Sequence, residues 1–369
     1  MIYLDNAATT RIKPEVRAAM EPFLDVDFGN PSSLHAAGRK ARRALEDARE
    51  TIAGRLGGDP KEFVFTSGAT ESNTLAIVGI AEALRSRGDH LITTTIEHPS
   101  VLETFSRLER QGFKVTRIPV DAEGLVDPAR VAAAVTPMTV LISVMTVNNE
   151  VGSLQPIAAI RKAAPGVVLH TDAAQAVGKV PVSVRDADLV TFSAHKIHGP
   201  KGVGGLWIRK GTPLSPQFVG GGQEFERRAG TENVAGAVGL ATAVKLAAPG
   251  RIEQLRERLR EGLPAGRPAG SPDRRAPHVL NVSFEGVDGE AVILALDAAG
   301  VCVSSGSACA SGSTKPSHVL TAMGMPSDAV KSSVRFSLSE MTTDAEIDGA
   351  LAAVTRVVER LRRISPVTR

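Results

Sequence analysis

Five short apolar runs, at about 63–65, 91–96, 139–144, 167–170 and 188–192, alternate with helical patterns such as S-L-H-A-A-G-R-K-A-R-R-A-L-E-D-A-R-E-T-I-A-G-R-L. Each run suits a buried strand and is too short for a packed helix, so the alternation reads as βαβ units. The chain is therefore expected to be α/β, built on a mainly parallel sheet. At 369 residues and 43% hydrophobic content it can form one large domain and a smaller one. A helical stretch near 232–262 leads into the Pro-, Gly- and Arg-rich P-A-G-R-P-A-G-S-P-D-R-R-A-P, then the strand H-V-L-N-V-S-F. That region marks the approach to the smaller part, which closes with an amphipathic helix at roughly 343–363.

An open parallel sheet gathers its ligand at the C-terminal ends of its strands. The residues that follow the apolar runs are therefore the ones to read. After 188–192 come Ser193, His195 and Lys196. On that segment alone a solvated surface lysine is the better reading. Upstream, however, Asp172 and Gln175 follow another run in G-V-V-L-H-T-D-A-A-Q-A-V-G-K. By itself Asp172 could be a helix N-cap. Together, a lysine amine and a carboxylate are what pyridoxal phosphate requires: one to hold its aldehyde, the other to keep its ring nitrogen protonated. A third run ends in T-S-G-A-T, with a helix expected from about Glu71. Free N–H groups at a helix start bind phosphate, with the Thr70 hydroxyl as a further donor, though alone this turn would be an ordinary capped helix.

From Y-L-D-N-A-A-T-T at residues 3–10 to S-S-V-R-F-S-L at 332–338, the chain resembles the cysteine desulfurases of the class V aminotransferase group. The motifs F-G-N-P-S-S-L-H, F-T-S-G-A-T-E-S-N, E-H-P-S-V-L, V-N-N-E, D-A-A-Q-A-V-G-K, S-A-H-K-I-H-G-P-K-G, R-R-A-G-T-E-N and S-S-G-S-A-C follow in the family's order. The resemblance implies a fold type I, aspartate-aminotransferase-like pyridoxal 5'-phosphate enzyme. It implies a large domain over 14–250, with 1–13 joining 251–369 in a smaller α/β domain that carries a catalytic cysteine loop. It also implies a homodimer that takes sulfur from L-cysteine and leaves alanine.

Position by position, the resemblance makes Lys196 the cofactor-bearing lysine, Asp172 the ring-nitrogen partner and Gln175 the neighbour of the ring hydroxyl. His98, which follows an apolar run, matches the ring-stacking histidine, where it can also help with proton transfer. Phosphate contacts fall to Ala69, Thr70, Ser193, His195 and, reaching over from the other subunit, Thr231. Asn149 and Arg335 match the residues that hold the substrate carboxylate, for which a guanidinium fork is suited, and Asn149 counts among the cofactor-binding residues as well.

Cys309, in S-S-G-S-A-C-A-S-G-S, is the feature that separates sulfur removal from transamination. Its Gly- and Ser-rich setting predicts conformational freedom. It would attack the substrate sulfur as a thiolate, become a persulfide and pass the sulfur to an acceptor protein, as in iron–sulfur cluster assembly or thiolation. Cys302, between Val301 and Val303, is expected to be a small buried hydrophobe without chemistry.

Composition excludes some alternatives. A net charge of +3 with both signs interspersed gives no reason to expect direct nucleic-acid binding. Two cysteines do not make a disulfide framework, and no Cys/His spacing suggests a metal. No apolar run is long enough for a membrane span, and the start M-I-Y-L-D carries no signal, so a cytoplasmic protein is expected. Departures from the family pattern are Ala310 after Cys309 and Ser339-Glu340-Met341 after R-F-S-L, where an acidic side chain replaces a basic one near Arg335. The competing readings are a selenocysteine lyase, another pyridoxal-phosphate lyase or aminotransferase of the same fold, and an inactive subunit that binds a sulfur acceptor.

Overall fold

The computed structural model describes residues 1–305 and 316–364. Its strands among these residues are β1 (Ile2–Tyr3), β2 (Phe63–Thr66), β3 (His90–Thr94), β4 (Lys114–Ile118), β5 (Thr139–Ser143), β6 (Val168–Asp172), β7 (Leu189–Ser193), β8 (Gly204–Ile208), β9 (Arg267–Ala269), β10 (Val279–Ser283), β11 (Val301–Cys302) and β12 (Ser333–Ser337). Seven of them form the main sheet, in the order β2-β8-β7-β6-β5-β3-β4. Its neighbours are parallel except β8, which runs antiparallel to both β7 and β2. Strands β2, β3, β5, β7 and β8 are buried along their whole length, which is why they read as continuous apolar runs without alternation.

Helices cover both faces. The helix Ala36–Leu56 buries Ala41, Leu45, Ala48, Ile52 and Ala53 at helical spacing and stops at Gly57, whose φ of 76° suits glycine. The helix Ala69–Ala83 is buried through most of its length and packs with Val64, Leu91 and Leu206 of the sheet. It starts two residues earlier than the sequence suggested, which places Thr70 in its first turn. The expected helix near 232–262 is two helices, Val234–Leu246 and Ile252–Gly262. Pro249 and Gly250, the latter at φ 51°, interrupt it.

A second core gathers Leu4, Leu255, Val282, Phe336 and Val354 around the sheet β12-β10-β9 and the terminal helix Asp344–Ile364. The first residues are tied to it, because β1 pairs with β11 and Asp5 bridges to Ser337. Beyond Asp5 the chain crosses to the main sheet: the Thr10 N–H donates to the His195 carbonyl at 2.9 Å. Cys302 is half-buried in β11, less enclosed than its apolar neighbours suggested.

Candidate active site

One cavity of about 500 Å³ opens where the C-terminal ends of β2, β5, β6 and β7 meet the N-terminal segment. Ala69, Thr70, His98, Asn149, Asp172, Gln175, Ser193, His195, Lys196 and Arg335 all line it. Thr231 is exposed and does not line the cavity of its own chain. Cys309 and Ala310 lie outside the described residues.

At the floor, Asp172 ends β6 and is buried. Its Oδ1 accepts from the Ala174 N–H at 2.9 Å and its Oδ2 from Asn73 Nδ2 at 2.8 Å. Lys196 stands in a short turn after β7, and its Nζ donates to the carbonyls of Ala7 and Ala8 at 2.6 and 2.8 Å. The N-terminal segment therefore supplies acceptors to the lysine that the sequence alone did not indicate. Gln175 is held by its neighbours. Its Nε2 donates to the Ala7 carbonyl at 2.8 Å, and its Oε1 takes Lys179 Nζ at 3.1 Å and lies 3.1 Å from His278 Nε2. Burial, reinforced by Lys196 and Arg335, pulls the Lys179 amine down to about 7, so a lysine far from the usual range orients this glutamine.

The turn after β2 is shaped by two glycines. Gly68 adopts φ 153° and ψ 179°, a conformation that essentially only glycine occupies. A Cβ on Gly204 of β8 would sit 2.7 Å from the Gly68 Cα, so the turn lies directly on the sheet. This leaves the start of the helix Ala69–Ala83 facing the cavity, where backbone N–H groups suit an anion. Glu71 is tied back by the Ser67 N–H at 2.8 Å and by Arg228 Nε at 2.9 Å. Nearby, burial and then Lys196 pull His195 down to about 4, so it is neutral, with Nδ1 3.2 Å from Thr9 Oγ1.

On the opposite side Arg335 projects from β12 and is 2% exposed. Its Nη1 donates to the Asn149 carbonyl at 3.0 Å and its Nη2 to Asp5 Oδ1 at 2.9 Å. Its Nε is buried with no partner among the described residues. A buried guanidinium with an unspent donor beside a cavity suits a carboxylate ligand. Glu340, the acidic departure from the family pattern, forms an ion pair with Lys13 at 2.6 Å and so has a partner away from Arg335.

The aminotransferase class-V family matches residues 2–349. The chain belongs to the class V aminotransferase family. It is 47% identical to the cysteine desulfurase IscS of Dictyoglomus turgidum, over 99% of this chain and 96% of that protein. A solved NifS-like protein superposes with a TM-score of 0.91 at 38% identity, covering 98% of this chain and 100% of the other. A structure of SspA in complex with cysteine superposes at 0.86 with 38% identity, over 93% and 100%. Enzymes of this family depend on pyridoxal 5'-phosphate. The residues present fit it: Lys196 offers an amine, Asp172 a buried carboxylate, and the Gly68 turn an anion cradle, all facing one cavity.

The sequence reading did not single out Asp5, Asn73, Ser100, Lys179 or Arg228. All five lie inside quoted motifs, Asp5 in Y-L-D-N-A-A-T-T, Asn73 in F-T-S-G-A-T-E-S-N, Ser100 in E-H-P-S-V-L, Lys179 in D-A-A-Q-A-V-G-K and Arg228 in R-R-A-G-T-E-N, so motif membership was the one signal available.

Proposed function

We propose that this chain is a cysteine desulfurase, which removes sulfur from L-cysteine and releases L-alanine. The observation that carries the reading is the meeting of Lys196, Asp172 and Arg335, from three distant stretches of chain, around one cavity. The desulfurase names of its full-length relatives support it.

When bound, pyridoxal 5'-phosphate supplies an electron sink next to the substrate Cα. Asp172 would pair with its ring nitrogen, Gln175 would donate from Nε2 near its ring hydroxyl, and His98 would cover a ring face. Ala69, Thr70, Ser193 and a neutral His195 would hold its phosphate, with Thr231 completing that site in the partner of a homodimer. Arg335, fixed by Asp5, would bind the substrate carboxylate beside Asn149. Lys196 would then carry the proton from the substrate Cα. The Cys309 thiolate attacks the substrate sulfur, an S–S bond forms and the C–S bond breaks. The electron pair stays on the carbon fragment, which is protonated to alanine, while Cys309 keeps the sulfur as a persulfide. An acceptor protein in the cytoplasm would take that sulfur, for iron–sulfur cluster assembly or thiolation.

The test is anaerobic incubation of the cofactor-loaded protein with L-cysteine and a thiol reductant, following alanine and sulfide together. Equal amounts of both are expected, lost in Cys309→Ser while the cofactor absorbance persists. Pyruvate in place of alanine, or full activity in Cys309→Ser, would replace this reading with a lyase.

A further inference from the structure

A line of hydrogen bonds joins the histidine over the cavity to the carboxylate at its floor. His98 follows β3 and is the N-cap of the helix Pro99–Arg110. Its Nδ1 accepts from the Ser100 backbone N–H at 3.1 Å. An N–H aimed at that nitrogen disfavours a proton there. Ser100 Oγ lies 2.8 Å from the same Nδ1 and accepts from Asn73 Nδ2 at 2.9 Å. The hydroxyl hydrogen is therefore directed to His98. The second proton of Asn73 Nδ2 goes to Asp172 Oδ2 at 2.8 Å.

The direction of this chain is fixed at its far end. A carboxylate only accepts, so Asn73 must turn its nitrogen to Asp172, and the reversed amide would set oxygen against oxygen. Asn73 Oδ1 is left buried without a donor among the described residues, which is the cost of that orientation. At the near end, the positive pole of the helix Pro99–Arg110 disfavours an imidazolium at its N-cap. Among the described residues, the charged groups that line the cavity with His98 are Glu71, Asp172, Lys196, Lys201 and Arg335, and buried Glu150 lies near it. The preceding carboxyl, Glu97, is pushed up to about 8 by burial and adds little negative charge near neutral pH.

We propose that Ser100 and Asn73 are positioning residues that hold His98 as the neutral Nε2–H tautomer and couple its orientation to the Asp172 carboxylate. The proposal rests on the reading of His98 and Asp172 as the groups on either side of the cofactor. It assigns the two proton-handling groups different work. His98 presents a proton on Nε2 and acts as a donor, so the base that accepts the substrate Cα proton is Lys196.

The tautomer is read directly by ¹⁵N NMR of the cofactor-loaded protein labelled at histidine, with the His98 signals identified by their loss in His98→Gln. A protonated Nε2 and an unprotonated Nδ1 are expected from about pH 8 to about pH 7. In Ser100→Ala the Nδ1 signal should move toward protonation in that range, with kcat lower by about tenfold and KM little changed. Ser100→Thr, which keeps the hydroxyl, should restore both. A proton on Nδ1 in the wild-type protein near pH 7 would overturn the proposal, as would Ser100→Ala signals identical to wild type. A wild-type protein that shows the expected tautomer but makes no alanine would instead break the functional reading and leave this one standing.

Discussion

The two sides of the cavity are built in opposite ways. On the cofactor side, Asp172 ends β6 and Ser193 ends β7, with His195 and Lys196 in the next turn. Each side chain is the last residue of a buried strand or lies two or three residues beyond it. On the substrate side, Arg335 sits inside β12 and is aimed by Asp5, 330 residues earlier, and by the Asn149 carbonyl. Local strand ends place these groups, and long-range partners, Ala7 and Ala8 for Lys196 and Asn73 for Asp172, add hydrogen bonds to groups already in place. A guanidinium buried in a second core needs them, because an unpaired buried charge costs several kcal/mol. The cofactor side should therefore govern the chemical step and the substrate side the binding step.

The largest effect that would break this comparison comes from Lys196. Lys196→Ala should lower kcat for alanine formation by about 10⁴-fold and abolish the absorbance of the bound cofactor's link to the protein. A variant with high residual kcat would mean that the proton is moved by another group. A smaller effect sharpens the other side. Asp5→Asn keeps an acceptor for Arg335 but loses its charge, so KM for L-cysteine should rise by about tenfold with kcat nearly unchanged. Equal losses in kcat would show that Asp5 serves the chemical step as well.

The smallest effect concerns stability on the cofactor side. Glu97 is fully buried, accepts from Thr94 Oγ1 at 2.7 Å and the Met145 N–H at 3.0 Å, and is pushed up to about 8 chiefly by burial. Between its ordinary value of 4.5 and about 8, the folded protein keeps a proton that the unfolded chain releases. Its contribution is present below 4.5 and is lost as pH rises through about 8, so stability falls over that window. Glu97→Gln, which cannot ionise, should flatten the decline in urea midpoint between about pH 5 and about pH 8. Parallel curves for the two proteins would show that Glu97 is not the group responsible.

The runs now seen as β2, β3, β5, β6 and β7 were legible because a strand buried on both faces carries a run of adjacent apolar residues instead of an alternation. Strand β4, K-V-T-R-I, lies at the sheet edge with only its last residue buried, and carried no such signal. The antiparallel direction of β8 was equally hidden, since apolar content does not encode orientation. The break between Val234–Leu246 and Ile252–Gly262 was written in Pro249 and Gly250 but is a boundary, where local signals are weakest.

The alternation of buried strands with helices and the residues at those strand ends were determined by the sequence alone, because burial and helical period act over a few neighbours. Only the tertiary structure decided that Asp5 holds Arg335, that Ala7 and Ala8 receive Lys196, that buried Lys179 turns Gln175, and that Asn73 and Ser100 link Asp172 to His98. These contacts join residues far apart in the chain, and a hydrogen bond depends on distance and angle in space, which no local pattern of residues carries.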